Sequence, residues 1–320
     1  MFDLKPKYLY QVYRFALSDY EPDKAAKKWG DKKVDRVDRD TSEVKGERTV
    51  YICESNNVGP YMCLDDKEIN GKTFTILSNL QTGKIALMID SIQSKELGQA
   101  LRYLGASITM IQMINCDMAP GYLKFIRENL PQAQIVIDKF HVIKHVYDAV
   151  QQTRLLIRKQ LFEQMPKGKR TKEDEQLLSD LEQLKKSRTP LSRARALWSE
   201  EQTQLMEHLF QKHTTLEQAY ELAQDFRKWY QKENSYKRYL QLNKELNVWF
   251  EKVEKSKLKT FDTCVKMIQK HEEEIMSYFQ KNQTNAKAER LNGKIKRFMS
   301  NNYGTRDLDF TLYRIKGYFA

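Results

Sequence analysis

Three carboxylates in three unlike contexts are the residues of this chain best suited to chemistry. Asp65 ends the apolar run Tyr61–Leu64, and Asp117 ends a second apolar run that starts at Thr109. Glu289 lies far downstream, in a stretch rich in lysine and arginine with a helical pattern. Two acids at strand ends and one on a helix can meet around a pair of divalent cations. Many enzymes use such a pair to stabilise the attacking and leaving oxygens of a phosphodiester.

The charge of the chain favours a polyanionic partner. The net charge is +12 and the isoelectric point is near 9.3. Residues 139–172 hold nine basic side chains against two acidic ones, and residues 285–320 hold eight against three. Both segments lie close in sequence to candidate acids, where a phosphate backbone would have to run. The alternative for either segment alone is a solvated helix face.

The chain is 320 residues long, and its length and composition predict a globular protein of one large or two ordinary domains. No stretch approaches the 18 or more apolar residues of a membrane span, and the four cysteines form no CxxC pair. We therefore expect a reducing cytoplasm as the location, with nucleoid association when the protein is on DNA.

His141 and His145 have a zinc-like spacing, but no third ligand at a fitting distance follows them.

Hydrophobic periodicity divides the first 140 residues into a helical part and a part with strands and helices. The first fifty residues predict helices over 7–18 and 22–39 and then a polar linker. Residues 61–64, 72–78 and 84–89 predict a three-stranded meander, because turn-rich segments separate them. A helix over 94–104, a strand over 109–115, a helix over 119–129 and a strand over 134–137 follow. This order, βββαβαβ, is that of the ribonuclease-H-like fold.

The chain from 142 to about 280 has helical periodicity almost throughout. Its leucine and tryptophan stripes are typical of a packed core. The sequence therefore predicts four segments: a short helical N-terminal segment (1–57), core strands and helices (58–141), a helical insertion (142–281), and a catalytic helix with a C-terminal element that completes the core (282–320).

Several short sequence words, taken together and in order, resemble the DDE transposases of insertion sequences, specifically the ISL3 family. The resemblance covers the chain from about residue 58 to its C-terminus. The words are Leu64–Asp66 before a tight hairpin, Cys116–Tyr122, Ala133–Lys144, Arg154, Leu197–Glu200, Leu216–Leu222 and Asn285–Lys296.

The resemblance implies a fold, an activity and a set of site residues. The fold would be a ribonuclease-H-like mixed sheet of the α/β class, with a large helical insertion before the catalytic C-terminal helix. Asp65, Asp117 and Glu289 match the three catalytic acids and would hold two Mg²⁺ or Mn²⁺ ions. The implied reaction is cleavage of double-stranded DNA at the element ends, followed by strand transfer into target DNA by a homo-oligomer on DNA.

Two acids near these positions leave alternatives open. The family usually has Glu where this chain has Asp66. Alternation along the strand would turn Asp66 away from Asp65, so Asp65 is favoured as the ligand. Asp138 precedes His141 in an Asp-x-Phe-His word, and both residues could support the acids without binding metal. Asp138 could equally cap the following helix.

Six basic residues are candidates for DNA contact, with solvated helix faces as the alternative. They are Lys144 and Arg154 after the last predicted strand, and Arg290, Lys294, Lys296 and Arg297 around Glu289.

Two other functions remain open. Relatives carry a cysteine-rich segment and a helix-turn-helix before the catalytic core, whereas only about fifty residues precede it here. A domesticated or truncated transposase that binds DNA without turnover is therefore the main alternative. A metal-dependent nuclease on the same fold is the other.

Overall fold

The computed structural model describes residues 6–18, 20–21, 32–165, 172–231, 239–280, 286–301 and 307–320. The chain divides into two compact units. The first consists of Met1–Asp138 together with Gln283–Ala320, and the second is Lys139–Asn282. The first unit is thus made from two separate parts of the chain, and the second is inserted between them.

A seven-stranded mixed sheet forms the centre of the first unit. The strands lie in the order β1-β2-β5-β4-β3-β6-β7. Each pair from β1 to β3 in this order is antiparallel, and the pairs β3–β6 and β6–β7 are parallel. This arrangement confirms the predicted α/β class and its mixed sheet. The strands are β1 Lys33–Val37, β2 Val44–Cys53, β3 Tyr61–Ile69, β4 Lys72–Asn79, β5 Ile85–Ile89, β6 Met113–Cys116 and β7 Gln134–Ile137.

Most of the helices lie outside the sheet in the second unit, and no helix among the described residues is long and apolar enough to cross a membrane. The first unit contains α1 Pro6–Val12, which continues as a π-helical turn over Tyr13–Leu17, α2 Ser94–Arg102 and α3 Pro120–Asn129. The second unit contains α4 Lys139–Glu163, α5 Lys172–Lys186, α6 Glu200–Lys212, α7 Thr214–Tyr230, α8 Tyr239–Ser256, α9 Asp262–Lys270 and α10 Glu272–Gln280. The chain returns to the first unit with α11 Ala286–Asn301 and α12 Leu308–Phe319.

The predicted N-terminal helix over 22–39 is wrong where the structure describes it. Residues 33–37 form β1, and the predicted polar linker contains β2, which pairs with both β1 and β5. Residues 22–31 lie outside the described residues. The first half of β2 is charged and exposed, and its buried residues Val50, Ile52 and Cys53 come only at its end, so no strand pattern is visible in the sequence. The hairpin extends the sheet.

Strand β3 is longer than predicted, because it continues as a hairpin with β4. The two-residue turn at Asn70 and Gly71 has positive φ at both positions, 48° and 77°. Asn-Gly favours this turn, whose twist matches that of paired strands. The prediction that the strand ends at Leu64 is therefore wrong. The predicted strand over 109–115 also begins too early, since a 3₁₀ helix occupies Gly105–Met110.

Opposite faces of the sheet carry different helices. Tyr122 of α3 and Thr75 of β4 share a hydrogen bond of 2.9 Å on one face. On the other face Phe74 and Ile76 of β4 join a core with residues of α11 and α12. The buried members from these two helices are Leu291, Ile295, Phe310, Leu312 and Ile315.

Aromatic side chains form the core of the second unit. The rings of Phe226 and Trp249 lie 4.8 Å apart, and those of Trp229 and Phe279 lie 5.0 Å apart. All four are buried. The interpretation of the aromatic stripes as core is confirmed.

Packing of α11 on the sheet can be tested with neighbouring residues of opposite burial. Ile295 is fully buried and Lys294 is exposed. Ile295→Ala should lower the free energy of unfolding by about 2–5 kcal/mol, because it removes buried methyl groups and leaves a cavity. Lys294→Ala, the control, should change it by at most about 0.5 kcal/mol. Urea unfolding followed by circular dichroism measures both, and equal midpoints for the two variants would contradict this packing.

Candidate active site

Asp65 and Asp117 occupy equivalent positions on two neighbouring parallel strands. Strand β3 pairs with β6 up to Leu64, whose partner is Cys116. Asp65 is the next residue of β3, and Asp117 directly follows β6. Partners in register point to the same face, and side chains alternate between faces along a strand. The two aspartates therefore lie side by side, on the same face of the sheet.

The third parallel strand adds Asp138, so that Asp65, Asp117 and Asp138 form a row of acids across β3, β6 and β7. Cys116 is paired with Ile137 of β7, and Asp138 is the next residue. Its backbone N–H donates to the carbonyl oxygen of Cys116 over 2.8 Å, so the pairing continues up to the aspartate. Asp138 also immediately precedes α4, which is the position of a helix cap. This position suits both roles that the sequence left open for Asp138, support of the acids and capping of the following helix.

The backbone holds Asp117 in place. It follows the buried strand β6, and its Oδ1 accepts a hydrogen bond of 2.9 Å from the N–H of Ala119. Pro120 then begins α3. An aspartate that closes its own turn before a proline at the first helical position has little freedom to reorient.

Asp65 and Asp66 lie on opposite faces of the sheet. Asp65 is paired with Ile76, which belongs to the core beneath α11, whereas Asp66 is paired with Thr75 on the α3 face. Asp65 is half-buried and Asp66 is exposed. The face of the row of acids is therefore that of Asp65. On the other face, burial raises the pKa of Tyr122, and the carboxylate of Asp66 adds to the increase.

The buried thiol of Cys63 lies in the electrostatic field of the row of acids. Cys63 lies two residues before Asp65 on β3 and is 3% exposed. Burial raises the pKa of its thiol well above the usual value, and the carboxylates of Asp65, Asp138 and Asp117 raise it further. All three carboxylates thus act on the same buried atom, and their common field favours cations.

Glu289 lies near the start of α11, and the placement of its side chain is outside what the structure describes. Two residues later, Leu291 is buried in the core that includes Ile76, the partner of Asp65. The helix that carries Glu289 therefore packs on the face of the sheet to which Asp65 belongs.

The described residues contain no group of three His, Cys, Asp or Glu side chains close enough to hold a metal ion. The row of aspartates as placed is therefore not by itself a metal site. Its donors are nonetheless carboxylates, which suit Mg²⁺ and Mn²⁺. A further oxygen ligand from α11 would suit the same ions.

The predicted DNA contacts differ in their surroundings. Exposed side chains on α11 include Arg290, Lys294, Lys296 and Arg297. On α4 of the second unit, Lys144 is exposed and His141 is half-buried. The roles predicted for these residues stay predictions.

The structure contradicts the prediction that Arg154 contacts DNA. Arg154 is 6% exposed. Its guanidinium donates to the carbonyl oxygen of Leu184 over 2.9 Å and to Oε1 of Gln151 over 2.8 Å. The bond to Leu184 joins α4 to the end of α5, so the residue belongs to the interior of the helical unit.

Sequence reasoning missed Asn115, which lies two residues before Asp117 on the same face of β6. It is 1% exposed in a strand whose other residues are apolar or cysteine. The available signal was an amide inside an otherwise apolar run that ends in a candidate catalytic acid.

A mixed sheet in which acids directly follow the last paired residues of the parallel strands, with a late helix packed on one face, is the arrangement of the ribonuclease-H-like fold. Comparison with known families is more specific. A transposase family model, that of the ISL3-type DDE transposases, matches residues 62–315. The match covers most of the chain, which therefore belongs to this family.

A curated relative is the transposase for insertion sequence element IS1001 of Bordetella parapertussis. The two sequences are 23% identical over 264 residues, which is 81% of this chain and 61% of the relative. The chain thus matches somewhat less than two thirds of that protein's length. No solved structure matches the chain significantly.

Proposed function

We propose that this chain catalyses metal-dependent DNA strand cleavage and strand transfer for an insertion sequence. Asp65, Asp117 and Glu289 are the proposed catalytic acids. The observation that carries the proposal is the shared position of Asp65 and Asp117. They directly follow the last residue pair between β3 and β6, on one face of the sheet, and the helix of Glu289 packs on that face.

The proposed cofactor is a pair of Mg²⁺ or Mn²⁺ ions held by these three carboxylates. When bound, such ions activate the attacking oxygen and stabilise the leaving oxygen of the phosphodiester. The fit rests on the oxygen-only donor set and on the shared field of the carboxylates at Cys63.

The contribution of the protein is to orient the acids. Strand pairing with β4 fixes the backbone of Asp65, and the turn closed on Ala119 fixes Asp117. Ligands that do not reorient keep the reacting groups in place, and a displacement of about 1 Å can cost on the order of a hundredfold in rate. Attack by water and then by a freed 3′-hydroxyl requires no covalent bond to the enzyme.

The proposed partner is double-stranded DNA, approached through the exposed basic side chains of α11. Arg290, Lys294, Lys296 and Arg297 share the helix of Glu289, so DNA bound there would lie near the proposed catalytic acid. Contacts of this kind to phosphates position DNA without reading its sequence. Exposed Lys144 on α4 is a further candidate.

Asp117→Asn should abolish strand cleavage while leaving folding intact. The amide keeps an oxygen that can accept from the N–H of Ala119, so the turn should persist. It carries no charge to hold a divalent cation, and the rate should fall by on the order of a hundredfold or more. Nicking of a DNA duplex bearing an element end, in Mg²⁺, measures the effect, and a binding assay on the same preparation should show equal or tighter binding.

The matched control is Asp66→Asn, which removes the same charge from the opposite face of the sheet. It should retain nicking within a few-fold of the wild-type rate. Normal cleavage by Asp117→Asn would remove this residue from the site. Binding without cleavage by the wild type would instead favour the domesticated DNA-binding protein.

Replacement of both Lys294 and Lys296 with alanine should weaken binding to all DNA sequences alike. Each lost phosphate contact should reduce the slope of log affinity against log salt by about 0.9. The control is a double alanine variant at Lys95 and Lys124, exposed lysines of α2 and α3. Titration at several salt concentrations measures the slopes, and an unchanged slope for the α11 variant would mean that this face is merely solvated.

A further inference from the structure

Asn115 is a buried amide without a hydrogen-bond partner among the described residues. Its side chain is 1% exposed, and neither Oδ1 nor Nδ2 has a partner there. Its neighbours on β6, Met113, Ile114 and Cys116, are also buried. No other side chain in the described part of the chain has two buried polar atoms in this condition.

An amide in this position costs free energy that an apolar side chain of similar size would not. Buried polar groups in folded proteins are nearly always paired, so each exception requires an explanation. Explanations include a role in catalysis and an unseen water or ion. The position of Asn115 distinguishes it from an ordinary packing defect.

Strand register places Asn115 directly beneath the row of acids. It is paired with Cys63 on β3 and with Val136 on β7. Each of these three residues lies two positions before an aspartate: Asp117, Asp65 and Asp138. Since residues two apart share a face and are separated by about 7 Å along a strand, the amide points to the same side as all three carboxylates, in the layer below them.

We propose that Asn115 is a positioning residue of the acid site. With a divalent cation bound, its Nδ2 donates to a carboxylate oxygen of the row above, directly or through one water, and thereby fixes the orientation of that ligand. This inference rests on the proposed function, because it requires that the acids bind metal. It adds to the site a neutral group that binds no metal itself.

The location suits such a role chemically. Ligating carboxylates are commonly held by hydrogen bonds from residues behind them, and loss of such a bond typically costs 10–100-fold in metal affinity. The thiol of Cys63 is a weak donor with a raised pKa, and Val136 has no polar atom. Asn115 is therefore the strong donor in this layer of the three parallel strands.

Two substitutions of nearly equal shape test the proposal: Asn115→Val and Asn115→Thr. Both residues suit a strand and have similar volume, but threonine keeps a hydroxyl that can donate. Without metal, Asn115→Val should melt at the same temperature as the wild type or a higher one, since it buries no unpaired amide. The concentration of Mn²⁺ that gives half of the maximal increase in melting temperature should rise at least tenfold for this variant.

Asn115→Thr should recover part of the Mn²⁺ response, and nicking by both variants should follow the same order. The inference is overturned if both variants respond to Mn²⁺ like the wild type. If Asn115→Val in that case also melts below the wild type without metal, the amide serves the fold alone. If Asn115→Val does not fold, Asn115→Ala, which also lacks a donor, takes its place: a half-maximal Mn²⁺ concentration equal to the wild type's would contradict the proposal.

The wild type and Asp117→Asn separate this inference from the proposed function. A wild type whose melting temperature does not respond to Mn²⁺ would contradict the proposed function itself. A wild type that responds, with Asp117→Asn not responding and the Asn115 variants unchanged, would contradict the role of Asn115 alone.

Discussion

A slip of one residue between β6 and β3 would turn Asp117 to the opposite face of the sheet from Asp65, because side chains alternate along each strand. The parallel register of β3, β6 and β7 is thus the constraint on which the candidate site depends. It is held by buried residues just before the acids: Leu64, Cys116 and Ile137 are each at most 1% exposed. Burial of these residues therefore fixes the strand register that places the acids next to one another.

Tertiary packing brings in the last proposed ligand. Helix α11 returns to the first unit after the inserted helical unit, and Leu291 and Ile295 join it to the core beneath Ile76. Ile76 is also the strand partner of Asp65. One apolar core thus links the strand of the first acid to the helix of Glu289, so the proposed site requires both separate parts of the first unit.

Local patterns predicted the elements that are buried or sharply bounded. Strand β7 is found at the predicted residues 134–137, and the helical character of the insertion holds in the described residues. The polar stretch from Asp65 to Glu68 hid the second half of β3, which is held by distant pairing with β4. Likewise, the charge of Arg154 suggested a surface, whereas it is buried and one of its partners, the carbonyl oxygen of Leu184, lies 30 residues away in α5. The placement of Asn115 depends on register, which no local pattern reveals.

We propose that the row of acids and α11 surround one divalent-metal site. Replacement of Mg²⁺ by Fe²⁺, with ascorbate and peroxide, produces hydroxyl radicals that cut the protein backbone near the bound ion. Such a site should give fragments that end near residues 65, 117 and 289, all lost in Asp117→Asn and suppressed by excess Mg²⁺. Cuts confined to the helical unit, or a pattern unchanged in Asp117→Asn, would contradict it.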